Sequence, residues 1–224
     1  SPGVPSARPV NFFAHALVAG WTREHPRFLL GAMLPDLTSM LGERIDHLPD
    51  PEVHAGVDHH HAADGAFHGS PTFARLCSEA ITRLGELGVG RGSARAVGHV
   101  GTELLLDGAL SHDEAAVRRY TGALEHALEA PIEDLVRLRE PGREPALHNG
   151  IARLMTAPVP HGYRDPEFVV ARLHHMLARR PRLALREADL SHVRDWARDT
   201  RATVAAEHER MLHEVASGLK NHAR

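Results

Sequence analysis

The chain has 224 residues, 42% of them hydrophobic, which suffices to bury the core of one domain. Its net charge of -3 creates no field that attracts nucleic acid or an anionic membrane surface, so we expect neither partner. The single cysteine excludes an intrachain disulfide, and no apolar run is long enough for a membrane span. We therefore expect a cytoplasmic protein, and the composition leaves its oligomeric state open.

Helix signals dominate the first half of the chain. We expect breaks at Pro35 and at residues 49–51. Ser70 followed by Pro71 is typical of a helix N-cap, and it predicts a helix that runs to about residue 87. The glycines of residues 88–92 end that helix, and Ser93 begins the next one.

The second half of the chain is predicted to be helical as well. Residues 111–114, Ser-His-Asp-Glu, form a capping box that predicts a helix to about residue 130. Further helices are predicted at 166–180 and 190–220, and no segment has the alternating pattern of a strand. The prediction is an all-α fold, with one helical domain over residues 1–224. We expect its functional core in residues 11–110 and a helical C-terminal part in residues 111–224.

One predicted helix carries His99, Glu103 and Asp107 at intervals of four residues, so all three project from one face. The rest of this helix is apolar nearly all round, which is typical of a buried helix. No arginine or lysine lies between Arg95 and Arg118. Two carboxylates buried without a cation cost several kcal/mol each. A metal ion would supply the missing positive charge.

Two further polar residues interrupt apolar sequence. His15 lies within the apolar residues 12–18, where the alternative is a core histidine bonded to a backbone carbonyl. Asp36 is the only charged residue between Arg27 and Glu43, and the alternative there is a helix N-cap after a break at Pro35. Either residue, if buried, could supply a metal ligand.

A third polar segment, residues 57–68, places His60, Asp64 and His68 at i, i+4 and i+8. These side chains share one face if the helix continues past Gly65. Imidazoles and carboxylates without cysteine suit Zn²⁺, Mn²⁺ or Fe. The number of candidates favours two ions over one. The predicted metal shell consists of His15, Asp36, His60, Asp64, His99, Glu103 and Asp107.

Two metal ions about 3.5–4 Å apart suit the hydrolysis of a phosphoester. They would supply a hydroxide nucleophile and stabilise the departing alkoxide. His68 or His59 would protonate the leaving group, because an imidazole titrates near neutral pH. The expected partner is therefore a phosphodiester substrate.

The order of these motifs resembles the acyl carrier protein phosphodiesterase family, a helical, metal-dependent group related to the HD phosphohydrolases. The resemblance covers residues 11–110 and rests on four elements: Asn11-Phe12-Phe13-Ala14-His15, Leu29-Leu30-Gly31 through Asp36, Gly56 through His60 to Asp64, and Leu104-Leu105-Leu106-Asp107. It implies an HD-like helical bundle around a buried metal site. The substrate that it implies is a phosphopantetheinyl-serine on an acyl carrier protein.

The chain departs from that family's pattern at three positions. His61 stands where the family has arginine, His68 stands near the place of a second aspartate, and Gly108 replaces a residue that is often histidine or tyrosine. The family's arginine could bind phosphate, so its absence here bears on which substrate is expected more than on the expected metal chemistry.

Two alternatives remain open. His99-x-x-x-Glu103 is similar to a helix of zinc-dependent phospholipase C and S1-type nucleases, which are also all-α. A histidine-rich helical module that binds a metal or haem without catalysis is the other.

Separately, the tract Arg179-Arg180-Pro181-Arg182 has two interpretations: a basic helix end, which is the commoner, or a contact for a phosphate or an acidic carrier protein.

Overall fold

The computed structural model describes residues 11–222, and the all-α prediction is confirmed. The helices are α1 (Phe12–Gly20), α2 (Pro26–Leu41), α3 (Pro51–His68), α4 (Pro71–Glu86), α5 (Arg91–Ala96), α6 (Thr102–Leu110), α7 (Glu114–Glu129), α8 (Ile132–Leu135), α9 (Glu144–Thr156), α10 (Pro166–Ala178) and α11 (Asp189–His222). A π-helical turn (Val97–Gly101) joins α5 to α6, and a 3-10 turn (His161–Arg164) precedes α10. Two short strands, β1 (Ile45–His47) and β2 (Arg137–Leu138), pair antiparallel.

Two of the predicted helix starts are where the capping signals place them, whereas the helix predicted from Ser93 begins at Arg91, with Gly90 at its N-cap. Ser70 caps α4 by accepting the backbone N–H of Phe73, and Asp165 caps α10 in the same way through Glu167. The prediction of a capping box at residues 111–114 is wrong about the N-cap, because the N-cap of α7 is Asp113. The Ser111 hydroxyl instead donates to the carbonyl of Gly108 at the end of α6.

The break predicted at Pro35 is also wrong, because α2 continues through this proline to Leu41. A proline inside a helix costs about 3 kcal/mol. The helix packs against α1, α3 and α7, and every residue from Phe28 to Leu34 is buried. Burial on several sides therefore outweighs the local cost. The β1–β2 pair was not predicted, since strands of three and two residues are too short to show a period.

The crossing of α2 and α3 depends on two glycines. A Cβ on Gly31 would collide with the carbonyl oxygen of Val53, and a Cβ on Gly56 would collide with that of Phe28. Because neither glycine has a side chain, the two helix backbones lie in direct contact. This close approach brings His60 of α3 to the backbone of α2.

One hydrophobic core runs from α1 to α11. The long helix α11 contributes Trp196, whose ring packs against Gly101 in the π-helical turn. The turn and α6 are thereby held in the interior, and Glu103 and Asp107 of α6 are buried as predicted. Within residues 11–222, no helix combines the length and apolarity needed to cross a membrane.

Candidate metal centre

Three predicted metal ligands meet in the interior. His15 of α1, Asp36 of α2 and His60 of α3 are 1%, 3% and 4% exposed, and one ligand atom from each lies within 4.8 Å of the others. We call these residues the inner triad. Zn–N and Zn–O bonds of about 2.1 Å place neighbouring ligand atoms about 3.4 Å apart in tetrahedral geometry. The 3.9 Å between His15 Nε2 and Asp36 Oδ2 is close to that spacing.

The inner triad contains polar atoms without partners. Both ring nitrogens of His15 and the Oδ2 of Asp36 are buried and make no hydrogen bond. Buried polar groups are nearly always hydrogen-bonded, and an unsatisfied one costs about 1–3 kcal/mol. Unpartnered nitrogen and oxygen atoms converging on one point are what a metal ion requires. The donor set of this chain therefore fits a divalent cation.

His60 is oriented by the backbone of α2. Its Nδ1 lies 2.8 Å from the carbonyl oxygen of Ala32, and a carbonyl only accepts, so Nδ1 carries the proton. This tautomer leaves the Nε2 lone pair free. Metal-binding histidines commonly donate their other N–H to a carbonyl in this way. No sequence signal points to Ala32, because its contribution is a backbone atom.

Burial keeps the inner imidazoles neutral. It lowers the pKa of His60 to about 4, and burial together with the charge of His60 lowers that of His15 well below its usual value. The two rings lie 4.2 Å apart between centroids, so protonating both would place two cations in contact. Burial and the nearby carboxylates of Glu103 and Asp64 raise the pKa of Asp36. Without a cation the site is thus electrostatically unfavourable for the Asp36 carboxylate.

A second group lies closer to the surface. His68 at the end of α3, His99 in the π-helical turn and Glu103 at the start of α6 also have ligand atoms within 4.8 Å of one another. We call these the outer triad. His99 Nε2 and Glu103 Oε1 are 3.0 Å apart, and neither His99 Nε2 nor Glu103 Oε2 makes a hydrogen bond. The helix predicted from Ser93 contains a π-helical turn at His99, a feature often found at functional sites.

Asp64 lies between the two triads on α3. Its Oδ1 is 3.4 Å from His68 Nε2, and its charge also acts on His15 and His60. The hydrogen bond from His68 lowers the pKa of Asp64, and the same bond raises that of His68. The predicted face of α3, with His60, Asp64 and His68 in line, is formed because the helix continues past Gly65.

The structure gives Asp107 a role that the sequence did not predict. Its Oδ1 accepts the backbone N–H of Ala14 at 2.8 Å, and its Oδ2 accepts that of Phe13 at 3.4 Å. Asp107 therefore caps the N-terminus of α1, where Asn11 makes no side-chain cap. It belongs to neither triad, although its charge helps to raise the pKa of Asp36.

The two predicted proton donors differ in their surroundings. His59 Nε2 lies 3.4 Å from the Thr22 hydroxyl, its ring packs edge-on against Phe28, and burial lowers its pKa. His68 is more exposed and its pKa is raised by Asp64. His68 thus holds a proton more readily than His59 near neutral pH.

No protein-family model, curated protein or solved structure matches this chain.

Proposed function

We propose that this chain is a metal-dependent phosphoric ester hydrolase, with the inner triad, and with His99 and Glu103 of the outer triad, as ligands for a pair of divalent cations. The observation that supports it best is the inner triad, whose ligand atoms lie close together while those of His15 and Asp36 are buried without hydrogen-bond partners. Imidazole and carboxylate ligands favour Zn²⁺, Mn²⁺ or Fe. A phosphodiester is the proposed substrate. The phosphopantetheinyl group of an acyl carrier protein is the substrate that the sequence resemblance implies.

The residues divide the chemistry between them. Bound divalent ions would act as Lewis acids and would lower the pKa of a water molecule at the site. That water would lose its proton to solvent, and its oxygen would form the new bond to phosphorus as the bond between phosphorus and the alkoxide oxygen breaks. His68 gives its proton to the departing alkoxide, and Asp64 holds the imidazolium beforehand. His60 keeps its lone pair available because Nδ1 donates to Ala32.

A metal content measurement combined with a turnover assay tests this proposal. The assay uses bis(4-nitrophenyl) phosphate with added Mn²⁺ or Zn²⁺. We expect Asp36→Asn to lose bound metal and turnover together. We expect His68→Gln to lower kcat about 100-fold or more, the usual contribution of a general acid. The matched control is His54→Gln, because His54 forms a similar i, i+4 pair with Asp58 on the exposed face of α3. It should leave both quantities unchanged.

A non-catalytic metal-binding module is the second candidate, and the burial of the inner triad favours it. Closed sites of this kind are typical of structural metals. Bound metal without turnover on any phosphodiester tested would support this module and contradict the hydrolase. Equal losses of turnover in His68→Gln and His54→Gln would contradict the assigned role of His68.

A further inference from the structure

A cavity of about 460 Å³ lies at the C-terminal end of α2, where the C-terminal ends of α9 and α10 also lie. Its volume is within the range of small-molecule sites. None of the residues of the inner or outer triad lines it. It is therefore a separate feature of the molecule, and a ligand bound there would not depend on the proposed hydrolase activity.

Several of the side chains that line the cavity are apolar. They come from α2, α9, α10 and the segment between the last two, and they are Met40, Leu41, Leu154, Val159, Phe168 and Met176. Methionines are flexible and adapt to the shape of an apolar ligand. A wall of this kind accommodates an alkyl chain.

Cationic side chains line the cavity as well. Four arginines line it, and no aspartate or glutamate does: Arg153, Arg172, Arg179 and Arg180. Within residues 11–222, none of the four forms a salt bridge, whereas Arg194 and Arg198 both pair with Glu167 of α10. The arginines of this cavity therefore have no internal counter-charge among the described residues.

The negative ends of helix dipoles offset only part of this positive charge. Three helices, α2, α9 and α10, end at the cavity, and each C-terminus carries about half a negative elementary charge. Together they offset about one and a half of the four positive charges. Arg172 also lies inside α10 instead of at its end. The cavity retains a net positive charge that a bound anion would neutralise.

Two atoms of the wall lack hydrogen-bond partners. The Nε of Arg172 and the hydroxyl of Ser39 are both buried and unsatisfied. Arg172 makes a weak bond to the sulfur of Met40 at 3.6 Å, and its charge together with a hydrogen bond to Tyr163 lowers the otherwise raised pKa of that buried tyrosine. Arg172 as a whole is half-buried, but a buried N–H such as its Nε is costly unless an acceptor is present. Carboxylate and phosphate groups match its donors.

We propose that this cavity binds an amphipathic anion, with its alkyl chain on the methionine and leucine wall and its anionic head group at Arg172 and Ser39. Arg179 and Arg180, which also line the cavity, would add positive charge to the head-group contact. The sequence left open whether the 179–182 tract contacts a phosphate, and in this proposal Arg179 and Arg180 contact the anionic head group together with Arg172.

Calorimetric titration of the purified protein tests the proposal with four probes. Octylphosphonate and octanoate have both an alkyl chain and an anionic head, and a phosphoester hydrolase cannot cleave either. Octyl glucoside has only the chain, and inorganic phosphate has only the charge. We expect at least one of the two octyl anions to bind about tenfold or more tightly than both single-feature probes. Whichever octyl anion binds better identifies the head group as phosphate-like or carboxylate.

Variants locate the binding site. Arg172→Gln and Arg180→Gln should each weaken octyl-anion binding about tenfold, and the second remains informative if the first does not fold. Arg182→Gln is the matched control, since it belongs to the same tract but does not line the cavity. Asp36→Asn should not change this binding. Equal binding of octyl glucoside, absence of octyl-anion binding, or an equal loss in Arg182→Gln would overturn the proposal.

Discussion

Asp107 of α6 caps a helix that begins far earlier in the chain: its Oδ1 accepts the N–H of Ala14 at 2.8 Å across a separation of 93 residues. The first N–H groups of any helix need acceptors, and those of α1 are buried. The carboxylate also lies at the positive end of the helix dipole, which favours its ionised form, while burial raises its pKa.

Asp107→Ala should therefore reduce stability more than it affects the metal centre. The variant leaves two buried N–H groups without acceptors, so we expect the free energy of unfolding to fall by about 2–4 kcal/mol. Urea denaturation measures this loss. Asp113→Ala, at the more exposed cap of α7, is the control and should cost about 1 kcal/mol. Loss of bound metal by a folded Asp107→Ala protein would place Asp107 among the ligands instead.

The crossing of α2 and α3 predicts that replacing Gly56 with alanine changes stability differently from the same replacement at Gly122. Gly56→Ala forces a Cβ against the Phe28 carbonyl, so it should destabilise the protein by about 3 kcal/mol and weaken metal binding through His60. Gly122→Ala, inside α7 with nothing within 4 Å, should stabilise it by about 0.5–1 kcal/mol. Thermal unfolding of the two variants measures both stability changes. Similar stability changes in the two variants would mean that α2 and α3 are not in backbone contact at Gly56.

Asp36 should be unfavourable for stability when no metal is bound. Burial and neighbouring carboxylates raise its pKa, so its ionised form opposes folding near neutral pH. We expect Asp36→Asn to be about 1–3 kcal/mol more stable than the unchanged chain in the presence of a chelator. With Zn²⁺ at about 100 times its Kd, only the unchanged chain should gain about 2.7 kcal/mol. A destabilised Asp36→Asn protein in chelator would show that the carboxylate has an internal partner.

His60 predicts how the metal-free stability depends on pH. Its pKa is about 4 when folded and about 6.5 when unfolded, so unfolding takes up a proton between those values. The resulting contribution is complete above about pH 6.5 and is lost as the pH falls towards about 4. Between about pH 7 and about pH 5, the unchanged chain should lose about 2 kcal/mol more than His60→Gln. Parallel stability curves for the two proteins, measured in chelator, would contradict a buried, neutral His60.

The sequence by itself determined the helical class and most of the metal-ligand candidates. Helix caps such as Ser70 and Asp165 act on the residues next to them, so their effect can be predicted locally. The i, i+4 spacing on α3 likewise depended only on helix geometry. Burial of Glu103 followed from the apolar sequence around it.

Only the tertiary structure decided which of these residues meet. His15, Asp36 and His60 lie on three helices, and their approach depends on the glycine contact between α2 and α3. The carbonyl of Ala32 has no side-chain signature. Asp107 has the same residue type and local surroundings as a metal ligand, and it is the N-terminus of α1, distant in sequence, that makes it a cap. Long-range packing decides these partnerships because the free energy of a buried polar atom depends on the group that it faces.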